Sequence, residues 1–254
     1  MLGFDTFGAG PQVVVVLNDW ICDTSTWDGA RVYLDGDRFT WVFADLRGYG
    51  RSKGQRGEFT VEAAAADVLA LADAQEWKRF AIVGHSMSTL IALHLAQHAA
   101  DRIERAVLLT PPPPAGFGVD DATLAAMQSV GHGDDEQRMR ALERRLGERL
   151  SERWLRFKAE RWRASSDPVA VAGYVAMFAR DGVPAPTAKV RCPVLAVTGE
   201  HDAPIMRSAA VKEIFSPLCD ELTVTLCDCA HYPMQEAPPL LVATVERFLT
   251  SATA

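Results

Sequence analysis

The sequence predicts an α/β protein: a mostly parallel, doubly wound sheet with helices on both faces and an all-helical insertion. Three observations carry that prediction. Short runs rich in Val, Ile and Leu recur along the chain, segments with helical apolar spacing lie between them, and residues 119–181 have helical spacing throughout.

The strands expected are QVVVVLN (12–18), WVFADL (41–46), FAIVGH (80–85), RAVLLT (105–110), PVLAVTG (193–199) and ELTVTLCD (221–228). Their apolar runs are continuous, as in strands covered on both faces. Apolar positions at helical spacing predict helices over 60–75, 87–100, 205–215 and 238–252. The PPPP run at 111–114 cannot continue a strand or enter a helix interior. GVPAPTAKVRCP (182–193) leads back from the helical stretch to a strand. These transitions divide the chain into a core, residues 1–111 and 187–254, and a helical lid, residues 112–186. The lid is expected over the carboxyl ends of the strands, where such sheets bind their ligands.

A chain of 254 residues that is 48% hydrophobic and 23% charged can bury a large core. Its net charge of −7 argues against a nucleic-acid or anionic-membrane surface and leaves open small neutral or apolar substrates, so a small-molecule substrate is the expected partner. A homodimer stays open, and the sequence names no protein partner. No run reaches 18 apolar residues, and the opening MLGFDTFGAGPQ lacks a basic flank before a long apolar run, so a soluble, unexported, cytoplasmic protein is expected. The five cysteines form no CxxC pair, which indicates neither a zinc knuckle nor a disulfide framework.

The chemistry centres on FAIVGHSMSTLIALHLA (80–96). A serine hydroxyl is a poor nucleophile until a base takes its proton, and it must first be exposed on a tight strand-to-helix turn. Ser86 follows a strand and opens a helix, with Gly84 and Ser88 as small flanking residues. Ser88 stands where GxSxG has its second glycine, and its hydroxyl is expected to cap the helix or line the pocket. A chance Gly-His-Ser at a strand–helix junction is the bland alternative, and the complete strand, turn and helix weigh against it. Asp202 and His231 lie just past the strands at 193–199 and 221–228, so both can reach the rim that presents Ser86. Glu200 is the rival acid. His94, His98, His132 and His201 are assigned surface or structural roles, and His85 is fixed by the turn beside the site.

The order of the first strand and its following loop, DLRGYGRSKG (45–54), GHSMS, helical insert, GEHD (199–202) and CAHYPMQEAP (229–238) resembles the α/β-hydrolase superfamily over nearly the whole chain. The resemblance implies a triad of Ser86, His231 and Asp202, with the backbone N–H groups of Trp20 and Met87 as oxyanion donors. It implies hydrolysis of a small ester, lactone or related acyl compound, without metal or organic cofactor. It also implies a lid after the sixth strand, and the short leader before Gln12 implies loss of one or both N-terminal edge strands. On Ser88 alone, the elbow is similar to the group containing RsbQ-like bacterial regulators and the karrikin and strigolactone receptors. Two other readings follow from the same likeness: a cofactor-free enzyme with different chemistry (dioxygenase, C–C hydrolase or perhydrolase), or a ligand-sensing module with slow turnover.

Many members carry His-Gly before the oxyanion donor, whereas this chain has Asn18-Asp19. A carboxylate at Asp19 opposes a developing oxyanion unless it points away or is neutral. The pocket candidates are Asp19, Cys22, His85, Trp154, Trp162, Tyr174, Met177 and Phe178. Met127 and Phe157 also supply large apolar side chains, and most of the lid's are expected to hold the lid together. The charges of residues 143–161 suit a solvated helix face with i,i+4 pairs.

Overall fold

A computed structural model describes residues 1–146, 149–183 and 189–251. Seven strands form one sheet: β1 (Phe4–Phe7), β2 (Gln12–Leu17), β3 (Phe39–Ala44), β4 (Phe80–His85), β5 (Ile103–Leu109), β6 (Val194–Gly199) and β7 (Leu222–Cys227). Their order is β1-β3-β2-β4-β5-β6-β7, and only β1 runs antiparallel to its neighbour. The helices described are α1 (Val61–Ala74), α2 (Ser88–His98), α3 (Asp121–Ser129), α4 (Asp135–Leu146), α5 (Glu152–Ser165), α6 (Pro168–Ala176), α7 (Ser208–Phe215), α8 (Pro233–Glu236) and α9 (Pro238–Thr250). No described helix is long and apolar enough to cross a membrane.

Continuous apolar runs mark the centre of the sheet. Every residue of β4 and β6 is buried, whereas the edge strand β7 is only partly covered. One N-terminal strand, β1, is present where the sequence suggested that one or both were lost. Its four residues, FDTF, are mostly half-exposed and carry no apolar run. Pairing with β3 and a ring contact between Phe4 and Trp77 hold it, and both are long-range. The helical insertion follows β5, the fifth strand of the sheet described.

That insertion contains α3 to α6. The long charged helical stretch is broken into α4 and α5, because the Ser151 hydroxyl accepts from the Trp154 N–H and starts a new helix. The expected boundary between lid and core at 186/187 lies outside the described residues.

Topology places the site. From β2 the chain moves outward to β3 and then returns across to β4, so the β2 and β4 ends diverge at the switch point of the sheet. Ser86 follows β4, and Asn18-Asp19-Trp20 follows β2, its hydrogen-bonded neighbour. The loop after β3 is stapled from within by Asp45, which is fully buried. Its carboxylate accepts from Thr24 N–H and hydroxyl at 2.9 and 2.7 Å and from the Arg51 N–H at 3.0 Å. A side chain at Gly50, with φ +44°, would collide with that carboxylate, which accounts for the second glycine of DLRGYG.

Candidate active site

The turn after β4 is strained by design of its neighbours. Ser86 has φ +52°, a left-handed conformation unusual for a residue with a side chain. Its N–H donates to the Leu109 carbonyl at 2.9 Å, which ties the turn to the end of β5. Ser88 closes the turn: its Oγ accepts from the His85 N–H at 2.9 Å and donates to the His85 carbonyl at 3.1 Å. A Cβ at Gly84 would lie 2.5 Å from the Ser88 carbonyl oxygen, so only glycine permits this approach. Ser88 is fully buried and belongs to the turn, not to the cavity.

The structure brings Ser86, His231 and Asp202 together. Ser86 Oγ and His231 Nε2 are 2.8 Å apart, and His231 Nδ1 is 2.8 Å from Asp202 Oδ2. A carboxylate can only accept, so Nδ1 carries the proton and Nε2 is left to accept from the serine. Burial works against the Asp202 charge, yet His231 and the Ala203 N–H at 2.7 Å hold its carboxyl below the ordinary 3.8. Glu200, the rival acid, is exposed beside His201 and Asp228. Ligand atoms of those three surface residues lie within 4.8 Å of one another, the one metal-like grouping among the described residues.

His231 is clamped along its backbone. Its carbonyl accepts from His85 Nε2 at 2.7 Å and from the Thr110 hydroxyl at 3.3 Å. Burial lowers His85 to about 4, so at neutral pH it is an uncharged donor. Glu236, on α8, accepts from the N–H groups on either side of the histidine: Ala230 at 2.8 Å and Tyr232 at 3.0 Å. Sequence reasoning missed Glu236. Its signal was an acidic side chain one turn into the helix that follows the histidine loop.

The loop after β2 replaces the expected glycine with a set of side-chain bonds. Asn18 Nδ2 donates to the Asp19 carbonyl at 2.7 Å, while Asn18 Oδ1 accepts from the Leu46 N–H at 2.7 Å. In a trans peptide C=O and N–H point oppositely, so capturing the Asp19 carbonyl directs the Trp20 N–H the other way. Tyr49 Oη donates to the Trp20 carbonyl at 2.7 Å, and Trp20 Nε1 donates to the Val171 carbonyl of α6 at 2.7 Å. Among the described residues, neither the Trp20 nor the Met87 backbone N–H has a hydrogen-bond acceptor.

Asp19 is buried and its carboxylate faces donors: Oδ1 accepts from the Cys22 N–H at 3.1 Å and Oδ2 from the Tyr232 hydroxyl at 3.0 Å. Burial pushes the carboxyl up, but the Lys158 ammonium and these bonds bring it below the ordinary 3.8. Asp19 is therefore ionised, not neutral, and its charge is engaged. Lys158, also buried, donates to the Thr26 hydroxyl at 2.8 Å and lies 4.5 Å from the Tyr232 ring centre.

A cavity of about 250 Å³ opens at Ser86 and His231, lined also by Pro112, Phe117, Met127, Phe178, Asp202, Ala203, Met206, Arg144 and Arg145. Of the eight pocket candidates only Phe178 lines it. Cys22 is buried behind the loop with its thiol pushed up to about 12 by burial, so it is not a thiolate. Asp19 and His85 belong to the supporting network. Trp162 packs edge-on against Trp20 and Trp154 packs against Tyr232. Tyr174 lies between Tyr49 and Phe59, and Met177 is buried outside the cavity. These rings hold the insertion on the core. The charged run is likewise no uniform solvated face, since Arg144 and Arg145 reach the cavity and Lys158 is buried.

The alpha/beta hydrolase fold family matches residues 20–238, and the chain belongs to it. It is similar to an uncharacterized protein of Mycobacterium bovis, 29% identical over 109 residues, 42% of this chain and 31% of the other. It thus spans about a third of that relative's length. Over 94% of this chain and 96% of the other, it is 25% identical to the pimeloyl-[acyl-carrier protein] methyl ester esterase of Nitrosomonas europaea. Its fold is similar to that of the enol-lactonase from Burkholderia xenovorans, with a TM-score of 0.83, 23% identity, and coverage of 98% and 96% of the two chains.

Ser88→Ala leaves the buried His85 N–H unpaired, so urea unfolding should register a loss of about 1–3 kcal/mol. Because Asp19 is held below its unfolded value, its ionised form favours the folded state above that range, and the benefit fades as pH falls through the folded value. The stability gap between wild type and Asp19→Asn should therefore stay constant from about pH 7 to about pH 5 and narrow below the ordinary carboxylate value.

Proposed function

We propose that this protein is a serine hydrolase of a small ester, lactone or related acyl compound. The observation that carries the reading is the unbroken hydrogen-bond relay from Ser86 Oγ through His231 to Asp202, at 2.8 Å in each step. His231 Nε2 takes the Ser86 proton as Oγ attacks the carbonyl carbon, while Asp202 fixes the tautomer and stabilises the imidazolium. The free N–H groups of Trp20 and Met87 receive the oxyanion. His231 then protonates the leaving oxygen, and a water activated by the same imidazole releases the acyl group from Ser86. No step calls for a cofactor. The helical insertion acts as the lid, supplying Phe117, Met127 and Phe178 to the cavity. A cavity of about 250 Å³ suits a small substrate, and the esterase among the relatives supports an ester.

A fluorophosphonate probe should label the wild-type protein and fail to label Ser86→Ala. With p-nitrophenyl esters, Asp202→Asn should reduce kcat by about 10⁴-fold. Folded wild type that resists the probe would refute the activated serine. Asn18→Ala releases the Asp19–Trp20 peptide, so steady-state kinetics should show kcat falling by about 10²-fold with KM little changed. A drop confined to KM would assign Asn18 to ground-state binding instead.

A further inference from the structure

Two arginines face the cavity that opens at Ser86, and the hydrolase reading gives neither of them a task. Both come from the last turn of α4. Arg145 is half-buried, and its guanidinium lies 5.2 Å from the ring centre of Trp20, over the residue whose N–H is free. Its Nη1 donates to the Ala141 carbonyl at 2.7 Å, which fixes the side chain by one of its five donors. Among the described residues, no carboxylate oxygen lies within 4 Å of the Arg144 or Arg145 guanidinium. The two carboxylates closest in function are already engaged, Asp202 by His231 and Ala203, and Asp19 by Cys22 and Tyr232. Elsewhere on the insertion Arg138 is paired with Asp135, Arg149 with Glu236, Arg156 with Glu152 and Arg161 with Asp23, whereas the exposed Arg153 of α5 has no ion pair among the described residues.

A cation held partly out of water with no ion pair among the described residues is costly, and burial pulls Arg145 below its ordinary value although the Asp19 and Asp202 charges act to raise it. A half-buried guanidinium with one donor committed, lining a cavity that holds Ser86, His231 and Asp202 together with apolar side chains, can receive a planar anion in a fork-to-fork pair. Pro112, Phe117, Met127, Phe178 and Met206, which line the same cavity, suit a short hydrocarbon body.

We infer that the substrate is an ester or lactone carrying a free carboxylate, which Arg145 binds with Arg144 at the cavity mouth while Ser86 attacks the acyl carbon. The inference rests on the hydrolase reading and narrows its substrate class. Arg145 is thus a specificity-determining residue, and the anion it recognises is distinct from the transient oxyanion at Trp20 and Met87. Electrostatic attraction between the bound carboxylate and the arginine also places the reacting ester, because a short chain can span the cavity in few ways.

The test compares mono-p-nitrophenyl glutarate with p-nitrophenyl pentanoate, esters of matched chain length with and without the carboxylate. Wild type should favour the glutarate ester in kcat/KM by at least about tenfold. Arg145→Met should bring that ratio close to one, and Arg145→Lys, which keeps the charge without the planar fork, should retain part of it. A wild-type ratio at or below one, or a ratio that Arg145→Met leaves unchanged, overturns the inference. If the pentanoate is hydrolysed without any preference, the carboxylate subsite is wrong and the hydrolase reading stands. If neither ester is turned over, the hydrolase reading fails, and titration calorimetry with glutarate decides the subsite. Binding that weakens at least about tenfold in Arg145→Met supports it, and absence of glutarate binding to wild type overturns it. Should Arg145→Met not fold, the wild-type ratio and Arg145→Lys decide between the same outcomes.

Discussion

Everything at the strand ends depends on one residue held against its own preference, Ser86 at φ +52°. A left-handed non-glycine residue costs of order 1–3 kcal/mol and persists only where surrounding contacts leave it no alternative. Here β5 fixes its N–H through the Leu109 carbonyl, and the Ser88 hydroxyl holds both the N–H and the carbonyl of His85. Glycine at 84 gives the space in which this can happen. Relaxing the turn would cost those bonds, so packing of β4, β5 and α2 holds the hydroxyl out toward His231.

Behind that turn lies a buried polar network that holds a carboxylate and an ammonium. Asp19 and Lys158 are both buried, and neither has the other as a direct hydrogen-bond partner. Instead Tyr232 mediates, donating its hydroxyl to the carboxylate while its ring lies near the ammonium. Isolated buried charges of this kind would be costly, and shared neighbours with satisfied donors make them tolerable. The arrangement also couples three loops, those after β2 and β7 and the insertion, through one aromatic side chain. That is why the Asp19 carboxylate, a lone charge when read from the sequence, is engaged by donors here.

Legibility followed distance along the chain. The central strands and the helices of the core could be read because their apolar periodicity is local, and the proximity of Ser86, Asp202 and His231 followed from three strand ends on one rim. β1 could not be read, since it is short and gains its stability from β3 and Trp77 far along the chain. The insertion was legible as helical but not in its facing. Trp162 and Tyr174 have the size of pocket residues yet pack on Trp20 and Tyr49, while Arg144 and Arg145 look like surface charges yet reach the cavity. Side-chain type sets whether a residue can be buried, and the angle at which a helix docks sets against what. Glu236 escaped for a related reason, because its partners are main-chain N–H groups that no side-chain pattern reveals.

Trp20 gives the insertion an influence beyond shaping a cavity. Its indole N–H is bonded to α6 and its rings lie against Trp162 and Phe178, whereas its backbone belongs to the core loop after β2. Unseating the insertion would withdraw the indole's anchor and free the peptide beside it. On the hydrolase reading proposed above, this contact makes the insertion an interlock, because the Trp20 peptide is held in place only while the helical layer is seated. On that reading, loosening the insertion alone would disturb the loop after β2 while the central sheet stays intact.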